Sequence, residues 1–193
     1  MQRTATIERK TTETRIAATI SLDGGGKADV RTGVGFFDHM LEAFSKHALI
    51  DLNVVCKGDT HIDDHHSVED VGIVIGQALA EAIYPIEKVE RFGNASVVMD
   101  ETCVECDMDL SGRPYLHYDV DVNGKVGSFD TELAEEFFHA LVLNARISTH
   151  IVLKRGRNKH HILEAAFKAF AVALRRATAK NERTGIPSTK GVL

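Results

Sequence analysis

The same module is written twice in this 193-residue chain, and each copy carries a His-His-x-x-Glu stretch. His65-His66-Ser67-Val68-Glu69 matches His160-His161-Ile162-Leu163-Glu164, and Phe36-Phe37-Asp38-His39-Met40-Leu41 matches Phe137-Phe138-His139-Ala140-Leu141. From the single histidine to the pair is 26 residues in one copy and 21 in the other, a difference one loop can absorb. Duplication is the simplest account. It points to a single domain over residues 1–193, built from two like halves of about 1–90 and 91–193.

Periodicity supplies the elements of each half. The first reads as a strand over Arg15–Leu22, the turn Asp23-Gly24-Gly25-Gly26, and a second strand near Ala28–Thr32. A helix follows over Phe36–His47, with Phe37, Met40, Leu41 and Phe44 at helical spacing. Ile50–Cys56 alternates as a strand, and the polar loop Lys57–Asp64 opens a long helix ending near Pro85. The second half repeats the order. It has strands within Ala95–Leu110 and Tyr115–Val122, a hairpin-type turn at Asn123-Gly124, a helix over Thr131–Arg146, a strand over Ile147–Lys154 and a last helix over His160–Asn181. Two β-β-α-β-α halves, with room for an extra strand, predict an α+β sandwich with the helices between two sheets.

Composition narrows the function classes. With 44% hydrophobic residues the chain can bury a core, and a formal net charge of -5 argues against nucleic acid or anionic lipid as a partner. The most apolar stretches, near Val71–Ala82 and Ala165–Leu174, are too short and too interrupted to span a membrane. Three cysteines do not make a disulfide framework, and no apolar leader follows Met1, so a cytoplasmic protein is expected.

The ten histidines carry the chemistry. On a helix, i and i+4 lie nearly above one another, so His65 with Glu69, and His160 with Glu164, can each pinch one ion. His66 and His161 point to the side, where each can reach a different ion, and His39 and His139 remain as further ligands. Six imidazoles and two carboxylates suffice for two sites of three His and one Glu. A lone histidine is ordinarily a hydrogen-bonded core residue; two matched sets are not so explained. The absence of thiolate disfavours structural zinc, and a His/carboxylate set with open positions suits Mn²⁺ or Fe²⁺.

Other motifs read as structural. Cys103-Val104-Glu105-Cys106 lies in an alternating strand, where residues three apart cannot close on one ion. The Asp23–Gly26 run lacks the Lys-Ser/Thr of a phosphate loop. Lys154, Arg155, Arg157 and Lys159 form a solvated basic loop. Lys168 is different, since it extends the His160–Glu164 stripe by one turn. Arg113 in a tight turn, Arg91 after the first long helix, and the Ser188-Thr189-Lys190 tail, which has little to pack against, each read alone as surface residues. Together they offer a phosphate clamp.

These stretches resemble the imidazoleglycerol-phosphate dehydratase family along almost the whole chain. They are RKTTET (Arg9–Thr14), GFFDHML (Gly35–Leu41), DHHSVED (Asp64–Asp70), SGRP (Ser111–Pro114), EFFHAL (Glu136–Leu141), KHHILEAAFK (Lys159–Lys168) and PSTKGVL (Pro187–Leu193). The resemblance implies a ribosomal protein S5 domain 2-like fold. It also implies two Mn²⁺ per site, one on His39, His66, His160 and Glu164, the other on His65, Glu69, His139 and His161. The phosphorylated imidazole would meet Glu13, His47 and Lys168 beside the metal-bound His39, His65, Glu69 and His160, with Arg91, Arg113, Ser188 and Lys190 on the phosphate. Glu13 and His47 would be the catalytic proton carriers, and the subunits would assemble into a homo-oligomer of twenty-four. The implied reaction dehydrates imidazole glycerol phosphate to imidazole acetol phosphate in histidine biosynthesis. Of two rival readings, a dinuclear phosphatase is disfavoured because the ligands are mostly His and not bridging Asp, and a metal-storage shell leaves Arg91, Arg113, Lys168 and Lys190 without a role.

Overall fold

The computed structural model describes residues 3–191, so Val192 and Leu193 of the PSTKGVL stretch lie outside the described residues. The first half runs β1 (Thr4–Lys10), β2 (Thr14–Ser21), β3 (Ala28–Arg31), α1 (Gly35–Ala48), β4 (Asp51–Gly58) and α2 (His65–Ile83). The second runs β5 (Phe92–Met99), β6 (Thr102–Asp109), β7 (Tyr115–Asp119), β8 (Lys125–Val126), β9 (Phe129–Asp130), α3 (Leu133–Ala145), β10 (Ser148–Arg155) and α4 (Lys159–Ala177).

The two main sheets follow one plan, β1-β2-β4-β3 and β5-β6-β10-β7. In both, the first two pairings are antiparallel and the last is parallel. Strand alternation places Ile16, Ala18 and Ile20 of β2 and Leu52, Val54 and Cys56 of β4 on one buried face. α1 and α2 cover the first sheet, α3 and α4 the second, and across the middle α1 meets α4 while α2 meets α3. The α+β class and its sandwiched helices are as the pattern predicts, with one further strand in each main sheet and the separate β8–β9 ribbon in the second half.

An aromatic stack fills the middle layer. Phe37 meets Phe137 at 5.1 Å between ring centroids, Phe137 meets Phe167 at 5.2 Å, and Phe138 meets Phe170 at 5.3 Å. All are fully or almost fully buried, so each ring contributes about 1.5–3 kcal/mol of transfer free energy. The helices of α2 and α3 approach closely because α2 carries glycine at the contact. A β-carbon on Gly76 would stand 2.5 Å from the Leu141 carbonyl oxygen and 2.8 Å from Asn144 Cβ.

α1 and α3 also end alike. Leu49 (φ 57°) and Arg146 (φ 55°) turn left-handed. The following N–H groups of Ile50 and Ile147 then bond back to Ser45 and Val142 carbonyls at 3.2 and 3.4 Å. Ile50 and Ile147 are buried, which supplies the apolar contact this helix end requires.

Four expectations are corrected. The five-residue difference between the copies is not taken up by one loop: three residues lie in an additional turn of α1 after His39, and two in the loop before α2. Asn123-Gly124 is not the tip of a hairpin; the paired strands β8 and β9 turn at Gly127-Ser128, where Gly127 adopts φ 61°. α4 stops at Ala177 and not Asn181, because Lys180 leaves to bridge Val89. The tail is anchored after all: Lys88 N–H donates to Gly185 O at 2.7 Å, and the Thr184 hydroxyl to Val89 O at 3.1 Å.

Alanine favours helix over glycine by about 1 kcal/mol, yet overpacking against fixed backbone costs about 1–3 kcal/mol. Gly76→Ala is therefore expected to lower the urea midpoint; a raised midpoint would show that α2 and α3 do not touch backbone to backbone.

Candidate metal centre

α4 starts with its histidines fixed. The Asn158 side chain accepts the N–H groups of His160 and His161 at 3.0 and 3.4 Å, capping the helix. The helical repeat then stacks three side chains. His160 Nε2 lies 3.0 Å from Glu164 Oε2, and Lys168 Nζ lies 2.7 Å from Glu164 Oε1. From α1 of the other half, His39 Nε2 reaches Glu164 Oε2 at 3.5 Å. The ligand atoms of His39, His160 and Glu164 all lie within 4.8 Å of one another, the one such group among the described residues. Two imidazoles, one exposed and one half-buried, over a buried carboxylate are a donor set that fits a divalent transition ion.

Electrostatics tune the spot. Burial would raise the Glu164 carboxyl, but the Lys168 hydrogen bond and charge, then His160 and His39, hold it below its ordinary range. At the end of α1, burial, and then the Lys168 and Arg175 charges, push the His47 imidazole below its usual value. Arg175 also donates to the His47 carbonyl at 3.1 Å.

The counterpart on α2 is looser. Asp63 accepts the His65 N–H at 2.9 Å, and His65 Nε2 stands 3.7 Å from Glu69 Oε2, both side chains half-exposed. His139 is exposed on α3 and joins no such group. A cleft of about 410 Å³ beside His65 is bounded by the Thr60–Asp64 loop, Lys125 and Asp130.

The second histidine of each pair turns elsewhere. His66 Nδ1 faces Asp59 at 3.0 Å, and its Nε2 is 3.9 Å from Glu13. His161 Nδ1 faces Glu101 at 2.9 Å, and its Nε2 is 3.9 Å from Asp100. The bond to His66 lowers the Asp59 carboxyl, that to His161 lowers Glu101, and Asp59 in turn raises His66. Glu13 occupies the β1–β2 turn, where the Thr11 hydroxyl accepts the N–H groups of Glu13 and Thr14 at 3.1 and 2.9 Å. Buried Asp70 secures that turn by accepting from the Thr14 hydroxyl and, at 3.0 Å, from Arg9.

The basic set gathers at the far end of the second sheet. Arg91 forks onto Asp109 at 2.7 and 3.1 Å and donates to Pro187 O at 2.8 Å, which ties down the tail bearing Ser188 and Lys190. Ser111 and Ser148 hydroxyls both donate to the Arg113 carbonyl at 2.9 Å, and the Tyr84 hydroxyl accepts the Gly112 N–H at 3.0 Å. Ser148 and Arg155 are opposite ends of β10, ~23 Å apart at about 3.3 Å per residue. The Arg113 turn adjoins the Ser148 end, whereas His160 follows the Arg155 end.

Asp59, Asp70 and Glu101 escape a reading of the sequence. Asp59 is seven residues before His66, a spacing with no helical meaning in a loop. Glu101 comes from the β5–β6 turn, 60 residues before His161. Asp70 passes there as the polar end of DHHSVED. The C-x-x-C behaves as expected: Cys103 and Cys106 are buried, and Cys103 contacts the Ser96 hydroxyl at 3.3 Å.

Comparison with known proteins agrees with this layout. The imidazoleglycerol-phosphate dehydratase family profile matches residues 32–174. The chain is 69% identical to the imidazoleglycerol-phosphate dehydratase of Sulfurimonas denitrificans over 185 residues, 96% of this chain and 97% of that one. To that of Aliarcobacter butzleri it is 66% identical over 187 residues, 97% and 98% of the two chains. A crystal structure of the Staphylococcus aureus dehydratase superposes with a TM-score of 0.84 at 45% identity, covering 92% of this chain and 99% of that one. The Pyrococcus furiosus enzyme, in complex with (S)-C348, gives 0.84 at 40% identity over 97% and 100%. The chain thus belongs to the imidazoleglycerol-phosphate dehydratase family and is a hydro-lyase.

Proposed function

We propose that this chain removes water from imidazole glycerol phosphate, yielding imidazole acetol phosphate for histidine biosynthesis, with two Mn²⁺ at each site. The observation that carries the reading is the buried carboxylate of Glu164 flanked by His39, His160 and Lys168. His39, His66, His160 and Glu164 would hold one ion, and His65, Glu69, His139 and His161 the other. A bound divalent ion supplies Lewis acidity to the ring nitrogens, which makes an otherwise unreactive imidazole side chain labile.

The chain's own residues do the rest. Glu13 carries a proton at the diol, its turn held still by Thr11 and Asp70. His47, kept basic-poor by burial and neighbouring charge, is the second proton carrier. Lys168 steers a substrate oxygen at the Glu164 end. Arg113, Ser188 and Lys190 bind the phosphate, together with Arg91, whose ties to Asp109 and Pro187 place the tail. Anchoring the phosphate away from the reacting carbons fixes orientation.

Within one chain these parts lie apart. The Arg113 turn and the His160 helix start flank opposite ends of β10, and His66 meets Asp59 and is not in the group formed by His39, His160 and Glu164. This favours sites shared between copies in a homo-oligomer, of twenty-four subunits by family likeness. The matching sheet orders support two repeats, about 1–90 and 91–193, in one domain. No helix of the described residues is long and apolar enough to cross a membrane, which accords with a cytoplasmic enzyme.

Purified protein with Mn²⁺ and substrate should form the ketone without releasing phosphate, and chelation should stop it; free phosphate as product would mean a phosphatase. Glu13→Gln should lower kcat by about 10²–10⁴-fold with bound manganese unchanged; wild-type turnover would remove Glu13 from proton transfer. Co-assembly of inactive His66→Ala and Glu164→Ala chains should restore activity that neither shows alone. A mixture as dead as its components would argue that each site is built within one chain.

A further inference from the structure

We propose that Asp59 and Glu101 are positioning residues that hold His66 and His161 with the proton on Nδ1, leaving Nε2 bare for a divalent cation. The inference rests on the metal reading above and assigns roles to two residues outside its ligand set.

A carboxylate only accepts hydrogen bonds, so an imidazole nitrogen facing one must be the donor. His66 Nδ1 stands 3.0 and 3.2 Å from the two Asp59 oxygens, and His161 Nδ1 stands 2.9 Å from Glu101 Oε2. With Nδ1–H committed, the neutral ring presents its lone pair at Nε2 alone, and the ring plane is fixed. Glu101 is itself held: its other oxygen accepts the Asn158 and Arg157 N–H groups at 2.8 and 3.2 Å. Those groups lead into the α4 cap, so the carboxylate, the cap and the His161 ring form one unit. In contrast, His160 is engaged through Nε2 by Glu164 and has no carboxylate at Nδ1 among its hydrogen bonds.

The two halves reach this arrangement by different routes. Asp59 comes from the loop between β4 and α2, Glu101 from the turn between β5 and β6. A relic of duplication would use the same position twice. Finding carboxylates from unlike positions on the same nitrogen points to a demand on that nitrogen. In each half a second carboxylate, Glu13 or Asp100, stands 3.9 Å from Nε2, so the bare nitrogen faces a negative, cation-favouring opening. Partners of this kind orient a ligating ring and raise its basicity, and their loss costs about 10–100-fold in metal affinity.

The test is Mn²⁺ affinity of metal-stripped full-length protein, read from the electron paramagnetic resonance signal of free Mn²⁺. Asp59→Ala and Glu101→Ala should each weaken binding about 10–100-fold. Asp59→Asn and Glu101→Gln keep an acceptor oxygen but lose the charge, and should fall between these and wild type. Thermal melting of the stripped proteins separates misfolding from lost orientation. Should Glu101→Ala fail to fold for want of its backbone bonds, Glu101→Gln and the Asp59 pair decide the matter. Wild-type affinity in the folded variants would overturn the positioning roles while leaving the metal reading intact. A wild-type chain that binds no Mn²⁺ would instead overturn the metal reading itself.

Discussion

A nearly buried carboxylate with three cationic or metal-seeking neighbours is the constraint around which this molecule is arranged. An ionised carboxylate removed from water is costly unless it is paired and hydrogen-bonded. Glu164 satisfies that need with Lys168 and His160 from its own helix and His39 from α1. The last partner belongs to the other half of the chain. The α1–α4 contact must therefore be held in one register, and the ring contacts of Phe37 with Phe137, Phe137 with Phe167 and Phe44 with Phe170 do so.

Much of this was legible in the sequence because it depends on short-range periodicity. The i, i+4, i+8 stripe of His160, Glu164 and Lys168 follows from helical geometry alone. The paired halves follow from repeated residues, and the α+β class from the order of strand and helix signals. What escaped notice depends on distant chain segments meeting. Nothing near His161 announces Glu101, which arrives from a turn 60 residues earlier. Nothing in Pro187–Lys190 shows that Arg91 will seize its carbonyl. The additional turn of α1 was invisible too, since spacing gives the total length between motifs but not how helix and loop divide it.

The halves are alike in plan and unlike in detail. Their sheets have the same order, and their first helices each end on a left-handed residue, Leu49 or Arg146, followed by a buried isoleucine. Yet Glu164 is almost buried while Glu69, its counterpart, is half-exposed. A common scaffold with unequal surroundings gives chemically distinct positions from equivalent residues. That is how a symmetric gene product can serve an asymmetric substrate, which has a ring at one end and a phosphate at the other.

Glycine at the α2–α3 contact, where a single added carbon would strike the Leu141 carbonyl, has a mechanical consequence. At that point backbone sits against backbone, and Gln77 and Asn144 join side chains across the seam, so the two helices are keyed in one register. The two halves must travel as a block.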